Sequence, residues 1–286
     1  MSGNRQSDAE AWPNAQLSRF VSSSPHRWHV QITGEGPDLL MIHGAAGSLY
    51  TWRDLIGPLS ERYRVVTFDL PGHGLTRVGT RWRNGLEPVS GDIAHLMVTL
   101  QVQPKVIVGH SAGAAIALRL AQTLTPAPQR VVSINGALEN FPGLAGIVLP
   151  MMAKTLALNP FTGPMVASTM TRLATERLIE STGSRIGADG VSLYYRLFRD
   201  WRHISGALAM MEQWSLDRLQ ASLEKIQQPV LCIAGQRDLA VPAATSRRAA
   251  EQMPGGELLV FPEGGHLLHE EHPEAVVREI IAFAGT

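Results

Sequence analysis

Ser111, Asp238 and His266 lie far apart in the chain, yet together they have the types that nucleophilic acyl chemistry needs. Ser111 stands in Gly109-His110-Ser111-Ala112-Gly113, after the β-branched run Val106-Ile107-Val108 and before the helix-forming stretch 114–121. A strand that enters a helix through so tight a turn has two readings. One is a small-residue turn with an idle serine. The other is a strained G-x-S-x-G elbow that lifts a hydroxyl above the end of a sheet, with glycines where side chains would collide. Context favours the second. Asp238 follows a strand-like run, 229–235, in "GQRDLAVP", and His266 follows another, 257–261, in "FPEGGHLLHEEHP". A serine hydroxyl is a weak nucleophile until an imidazole takes its proton. The imidazole in turn needs a carboxylate on its other nitrogen.

Each assignment has a plainer alternative. Aspartate favours turns and helix caps in any case, so Asp238 also suits a loop former. His266 competes with His269 and His272. His272 precedes Pro273 and reads as a helix start, whereas His266 follows two glycines on a loop and is the residue assigned. The segment His43 to Ser48, "HGAAGS", supplies a second requirement, an oxyanion hole from the backbone N–H groups of Ala45 and Ala112. Substrate contacts are expected from His43, Gly44, His110, Met151, Met152 and Trp214, although His43 and His73 also suit orienting loops. The tract His266, His269, Glu270, Glu271, His272, Glu274 lacks a second ligand cluster, so no metal is expected and no cofactor is implied. Arg77, Arg81 and Arg83 read as a solvated loop or, more weakly, as a greeting for an anionic substrate.

These residues need a scaffold, and its pattern is visible. Strand-like runs fall at 27–33, 38–44, 63–70, 106–108, 130–136, 229–235 and 257–261. Helical patterns fall at 51–62, 91–100, 112–123, 243–253 and 273–283. Such alternation predicts an α/β fold, a mostly parallel sheet covered by helices on both faces. The suspect residues all sit at the carboxyl ends of strands, where open α/β sheets bind ligands. From 137 to 223 the pattern is helical without a convincing strand, and methionines gather there. This interval is expected to be a cap inserted over Ser111. The core then comprises 1–136 and 224–286, with 1–20 a polar arm.

Composition narrows the function classes. The chain has 286 residues, 44% hydrophobic and 17% charged, ample for a buried core. Its 25 basic residues balance 25 acidic ones, so nothing favours nucleic acid as a partner. A single cysteine, Cys232, excludes an intrachain disulfide. The amino-terminal stretch lacks the apolar centre of a secretory signal, and the longest apolar run, 144–153, is too short to span a bilayer. A cytoplasmic protein is expected, with contact to a membrane surface through the cap left open.

The motifs "HGAAGS", "DLPGHG", "GHSAG", "GQRDLAVP" and "GGHLLHEEHP" resemble the α/β-hydrolase superfamily over nearly the whole chain. The order Ser111, Asp238, His266 is that of its catalytic triads. A serine in the elbow disfavours the dehalogenases and epoxide hydrolases of that fold, which place an aspartate there. "GHSAGAAIALRL", "INGALENFPGLAGIVLPMMAKTLALNP", "STGSRIGADGVSLYYRLF" and "GALAMMEQWSLDRL" are similar, more narrowly, to magnesium-chelatase accessory proteins of photosynthetic bacteria. That resemblance implies a place in bacteriochlorophyll biosynthesis near magnesium insertion. It implies either a serine hydrolase of an acyl or tetrapyrrole substrate, or a non-catalytic porphyrin-binding or chelatase accessory protein on a hydrolase scaffold.

Overall fold

The structure, a computed structural model, describes residues 9, 10, 12–80, 82–140, 156, 159 and 161–285. Eight strands form one sheet in the order β1-β2-β4-β3-β5-β6-β7-β8. They are β1 (Ser18–Ser23), β2 (His26–Thr33), β3 (Asp38–Ile42), β4 (Arg64–Phe68), β5 (Val106–His110), β6 (Arg130–Ile134), β7 (Val230–Gly235) and β8 (Gly256–Phe261). The pairs β1/β2 and β2/β4 are antiparallel and the rest parallel. Helices α1 (Arg53–Ser60), α2 (Leu86–Leu100), α3 (Ala112–Thr123), α9 (Ala243–Gln252) and α11 (Pro273–Ala284) flank it, with the short α10 (Leu268–Glu271) leading into α11. The fold class read from the sequence is the one observed.

The buried strands alternate their side chains between two apolar layers, as the two-residue period of a strand requires. Leu40, Ile42, Ile107, Val131, Val230 and Cys232 face a layer shared with α2, α3 and α9. Leu39, Met41, Val106, Val108, Val132 and Ile233 face the layer of α1 and α11. Burial pushes the Cys232 thiol up to about 12, so it behaves as a small apolar side chain.

Three boundaries differ from expectation. The arm expected over 1–20 gives way to β1 at Ser18, which pairs with Gln31 across a tight hairpin. Its sequence SRFVSS is polar because it is an edge strand with little to bury. Helix α2 begins at Leu86 rather than 91, because Pro88 is tolerated in a first turn. The 51–62 segment opens as a 3-10 turn, Leu49–Trp52, capped by Ser48, before α1 starts.

Between β6 and β7 the described residues hold α4 (Thr162–Thr169), α5 (Arg172–Glu180), α6 (Ala188–Phe198), α7 (Trp201–Gln213), α8 (Asp217–Gln220) and a 3-10 turn. A third apolar cluster joins Ile179, Val191, Tyr194, Leu197 and Phe198 of this helical insert to Leu49, Tyr50 and Leu267 of the sheet's loops. Among the described residues no helix is long and apolar enough to cross a membrane.

Candidate active site

Ser111 has φ 53° and ψ −119°, a left-handed conformation that a non-glycine residue adopts at a cost of about 1–3 kcal/mol. Packing on both sides enforces it. A Cβ at Gly109 would strike Gly113, and one at Gly113 would strike the carbonyls of Ile42 and His43. Strand β5 and helix α3 therefore cross at backbone contact, which only glycine permits. Ser111 N–H donates to Ile134 O at 3.0 Å, and Ser111 O accepts from Ala114 and Ala137. The elbow is pinned from two directions.

His266 and Asp238 come together at the ends of β8 and β7. His266 Nδ1 donates to Asp238 Oδ2 at 2.8 Å. The Asp238 side chain is fully enclosed, and its Oδ1 accepts from Ala240 and Val241 N–H at 2.8 and 2.7 Å. With Nδ1 committed as a donor, the other ring nitrogen of His266 is an acceptor. The ring is partly exposed. Competing histidines are otherwise engaged. His269 Nε2 donates to Thr51 Oγ1 at 2.6 Å in a fully buried position, and His272 stands at the start of α11 with its ring stacked near Phe261.

The histidine loop is fastened beside the elbow. His110 Nε2 donates to His266 O at 2.8 Å, and the two rings lie 4.8 Å apart. Asn135 Nδ2 donates to Gly265 O and His266 O, both at 2.8 Å, while its Oδ1 accepts from Gly235 N–H at 2.7 Å. One buried side chain thus ties the end of β7 to the loop of His266. Sequence reading missed Asn135; its signal was an Asn-Gly pair directly after a strand, and its φ of 45° suits asparagine. Among the described residues Ser111 Oγ has no hydrogen-bond partner, a looseness common in unliganded sites.

The loop after β3 runs against the serine: a Cβ on Gly44 would lie 2.9 Å from Ser111 Cβ. Ala112 opens α3, so its N–H has no intrahelical acceptor. Among the described residues the N–H groups of Ala45 and Ala112 have no hydrogen-bond partner.

Several expected substrate contacts fall elsewhere. His43 is fully enclosed, and both ring nitrogens are engaged: Nδ1 donates to Gly44 O at 2.7 Å and Nε2 accepts from Leu70 N–H at 2.9 Å. Burial lowers its pKa to about 4, so it is a neutral tie between loops rather than a ligand contact. Trp214 packs half-buried against the α2/α3 layer. Met151 and Met152 lie outside the described residues. The other methionines form no common surface, since Met210 is in the core, Met170 is half-buried, and Met165 and Met211 are exposed. Arg83 is paired with Asp92 at 2.6 Å, and Arg77 pairs through its backbone with Arg27. Arg81 is outside the described residues. The tract after His266 disperses, with Glu270 on Arg53, Thr51 and Tyr194, and Glu271 on Arg185 N–H and Gly265 N–H.

A family profile described as the alpha/beta hydrolase fold matches residues 37–273. The chain belongs to that family. It is 45% identical to the magnesium-chelatase 30 kDa subunit of Rhodobacter capsulatus over 266 residues, 91% of each chain. It is 28% identical to a pimeloyl-[acyl-carrier protein] methyl ester esterase of Nitrosomonas europaea, over 87% of this chain and 96% of that one. An esterase structure from Exiguobacterium antarcticum superposes with TM-score 0.78 at 16% identity, covering 94% of this chain and all of the other, which attests to the fold alone.

Proposed function

We propose that the protein is a serine hydrolase that cleaves an ester, thioester or related acyl bond in bacteriochlorophyll synthesis, near magnesium insertion. The observation that carries this reading is the 2.8 Å bond from His266 to Asp238, in a loop fastened beside a strained, glycine-flanked Ser111. In the first step Ser111 Oγ adds to the acyl carbon as His266 Nε2 takes its proton. The N–H groups of Ala45 and Ala112 receive the oxyanion, and Asp238 steadies the imidazolium. His266 then returns the proton to the leaving alkoxide or thiolate. A water molecule, deprotonated by the same ring, releases the acid and restores Ser111. The esterase relative supports an acyl substrate, and the chelatase-subunit relative supports the pathway and a contact with magnesium chelatase. A cytoplasmic setting suits both.

Turnover of short-chain p-nitrophenyl esters by the native chain and by Ser111→Ala tests this. The expected loss is about 10⁴-fold or more with the fold unchanged. Turnover retained by a clean Ser111→Ala preparation overturns the mechanism.

A second reading has an observation of its own. Phe161, Met165 and Trp201 stand exposed on α4, α7 and their approach, a surface suited to a flat apolar partner. In this reading the chain is a non-catalytic accessory protein that binds a porphyrin or the chelatase, or rests on a membrane. Saturable absorbance shifts with protoporphyrin that persist in Ser111→Ala, alongside an inert native serine, favour it.

A further inference from the structure

The loop 43–49 after β3 runs against Ser111, and the loop 69–76 after β4 is tied to it. Side chains from the sheet tie them together. Asp69 accepts from Leu49 N–H through Oδ1 at 2.9 Å and from Leu75 N–H through Oδ2 at 2.8 Å. His43 bridges Gly44 O and Leu70 N–H. A third tie comes from the helical insert. His203, in the first turn of α7, donates from Nε2 to Ala46 O at 3.0 Å and accepts Gly74 N–H on Nδ1 at 3.1 Å. One imidazole thus spans both loops, and only the neutral ring with its proton on Nε2 satisfies both partners.

The depth of this contact has a cause. Gly206 lies one turn further along α7 and meets Gly72 backbone to backbone; a Cβ on Gly206 would collide with Gly72 O. That close approach lets a helix of the insert drive His203 into the sheet's loops, where it has no exposed surface. A histidine that only filled space would not need both nitrogens on main-chain partners. Ala46 gives the contact a purpose. Its φ is 58°, a conformation that a non-glycine residue holds only when its surroundings fix it. Its neighbour Ala45 carries one of the two N–H groups assigned above to the oxyanion.

We infer that His203 is a positioning residue through which the helical insert holds the oxyanion loop in register with Ser111. This rests on the acyl-transfer reading above, and it makes the oxyanion hole a joint product of sheet and insert. A donor misplaced by about 1 Å loses much of its effect on a developing charge. Removal of the imidazole therefore acts on the rate of the chemical step and leaves substrate affinity nearly unchanged.

The test compares native protein, His203→Ala and His203→Gln, the last offering an acceptor and a donor on one amide. Ester turnover and amide hydrogen exchange are measured on each full-length chain. For His203→Ala the expected result is a fall in kcat of about 10- to 100-fold, KM within about threefold, and faster exchange at 44–49 as well as 72–76. His203→Gln restores most of kcat. Should His203→Ala fail to fold, His203→Leu, which fills the space but offers neither donor nor acceptor, takes its place, with the same slowed kcat and faster exchange at 44–49 expected. Native kcat in folded His203→Ala, or exchange that rises only at 72–76, overturns the inference. If the native chain turns over no ester, exchange at 44–49 alone decides whether His203 holds the loop, and the acyl-transfer reading fails separately.

Discussion

Ser111, His266 and Asp238 have a counterpart elsewhere in the molecule in Ser18, His29 and Asp69. His29 Nδ1 lies 2.8 Å from Asp69 Oδ2, the same distance as His266 Nδ1 from Asp238 Oδ2. His29 Nε2 lies 2.9 Å from Ser18 Oγ, so the second triplet is hydrogen-bonded throughout, whereas Ser111 Oγ is not. The hydrogen-bond pattern alone would therefore select Ser18 rather than Ser111. Ser18 lies in a regular edge strand, shares its Oγ with Gln31 Nε2 at 3.2 Å, and has no helix start beside it. His29 is fully enclosed, and Asp69 also holds two loop N–H groups. Burial raises the Asp69 carboxyl, but the hydrogen bond and charge of His29 outweigh this and keep it ionised below the usual range. Ser111 instead has a strained turn, two unengaged N–H groups nearby and a partly exposed histidine. What separates the proposed nucleophile from its look-alike is strain, access and unsatisfied donors.

The largest contrast is expected at the serines. Ser111→Ala is predicted to lose about 10⁴-fold or more in ester turnover, whereas Ser18→Ala stays within about threefold. Equal losses would erase the distinction. Next come the aspartates. Asp238→Asn loses about 10³- to 10⁴-fold in kcat with little change in the unfolding midpoint, because the ring loses its tautomer and its counter-charge. Asp69→Asn reverses that profile. It leaves two N–H groups and a histidine poorly matched in the interior, destabilising the fold by roughly 3–5 kcal/mol in urea unfolding.

Asn135→Ala is expected to be intermediate. It removes three buried hydrogen bonds, costs about 2–3 kcal/mol, and lowers kcat at least about tenfold because the His266 loop is released. Loss of stability with native kcat would mean that His110 alone holds the loop.

The smallest effect is on acid stability. Burial lowers the pKa of His43 and of His203 from 6.5 to about 4. Between those values the unfolded chain binds protons that the folded chain refuses, so stability is full above pH 6.5 and falls as the pH drops towards 4. Each ring accounts for about 2 kcal/mol between pH 7 and pH 5. Burial lowers His73, His110 and His269 in the same way, so His203→Gln removes one of several such rings and should make urea midpoints decline slightly less steeply over that range. An unchanged slope would place the acid sensitivity elsewhere.

How much of this was legible in the sequence depends on whether local chemistry or distant packing sets a residue's role. The elbow and the strands read at 106–108, 130–136 and 229–235 follow from local patterns, β-branched runs and paired glycines, and the assignment of His266 over His269 and His272 rests on a proline at a helix start and on the hydrogen bond to Asp238. Strand β1 was hidden because an edge strand has no apolar signature. His43 was misjudged as a substrate contact because a histidine beside an oxyanion loop looks the same in sequence whether it faces inward or outward. His203 carried no signal at all, since its role comes from a glycine contact between α7 and a loop more than a hundred residues away. The fold and the candidate elbow were local questions, and the supports of the site were not.

The most direct test of the central claim is to treat the native protein with a fluorescent fluorophosphonate and locate the adduct by peptide mass spectrometry, with His266→Ala alongside. The account predicts a single adduct on Ser111, absent from the folded His266→Ala protein. An adduct on Ser18, or a folded native chain that takes no label, would contradict it.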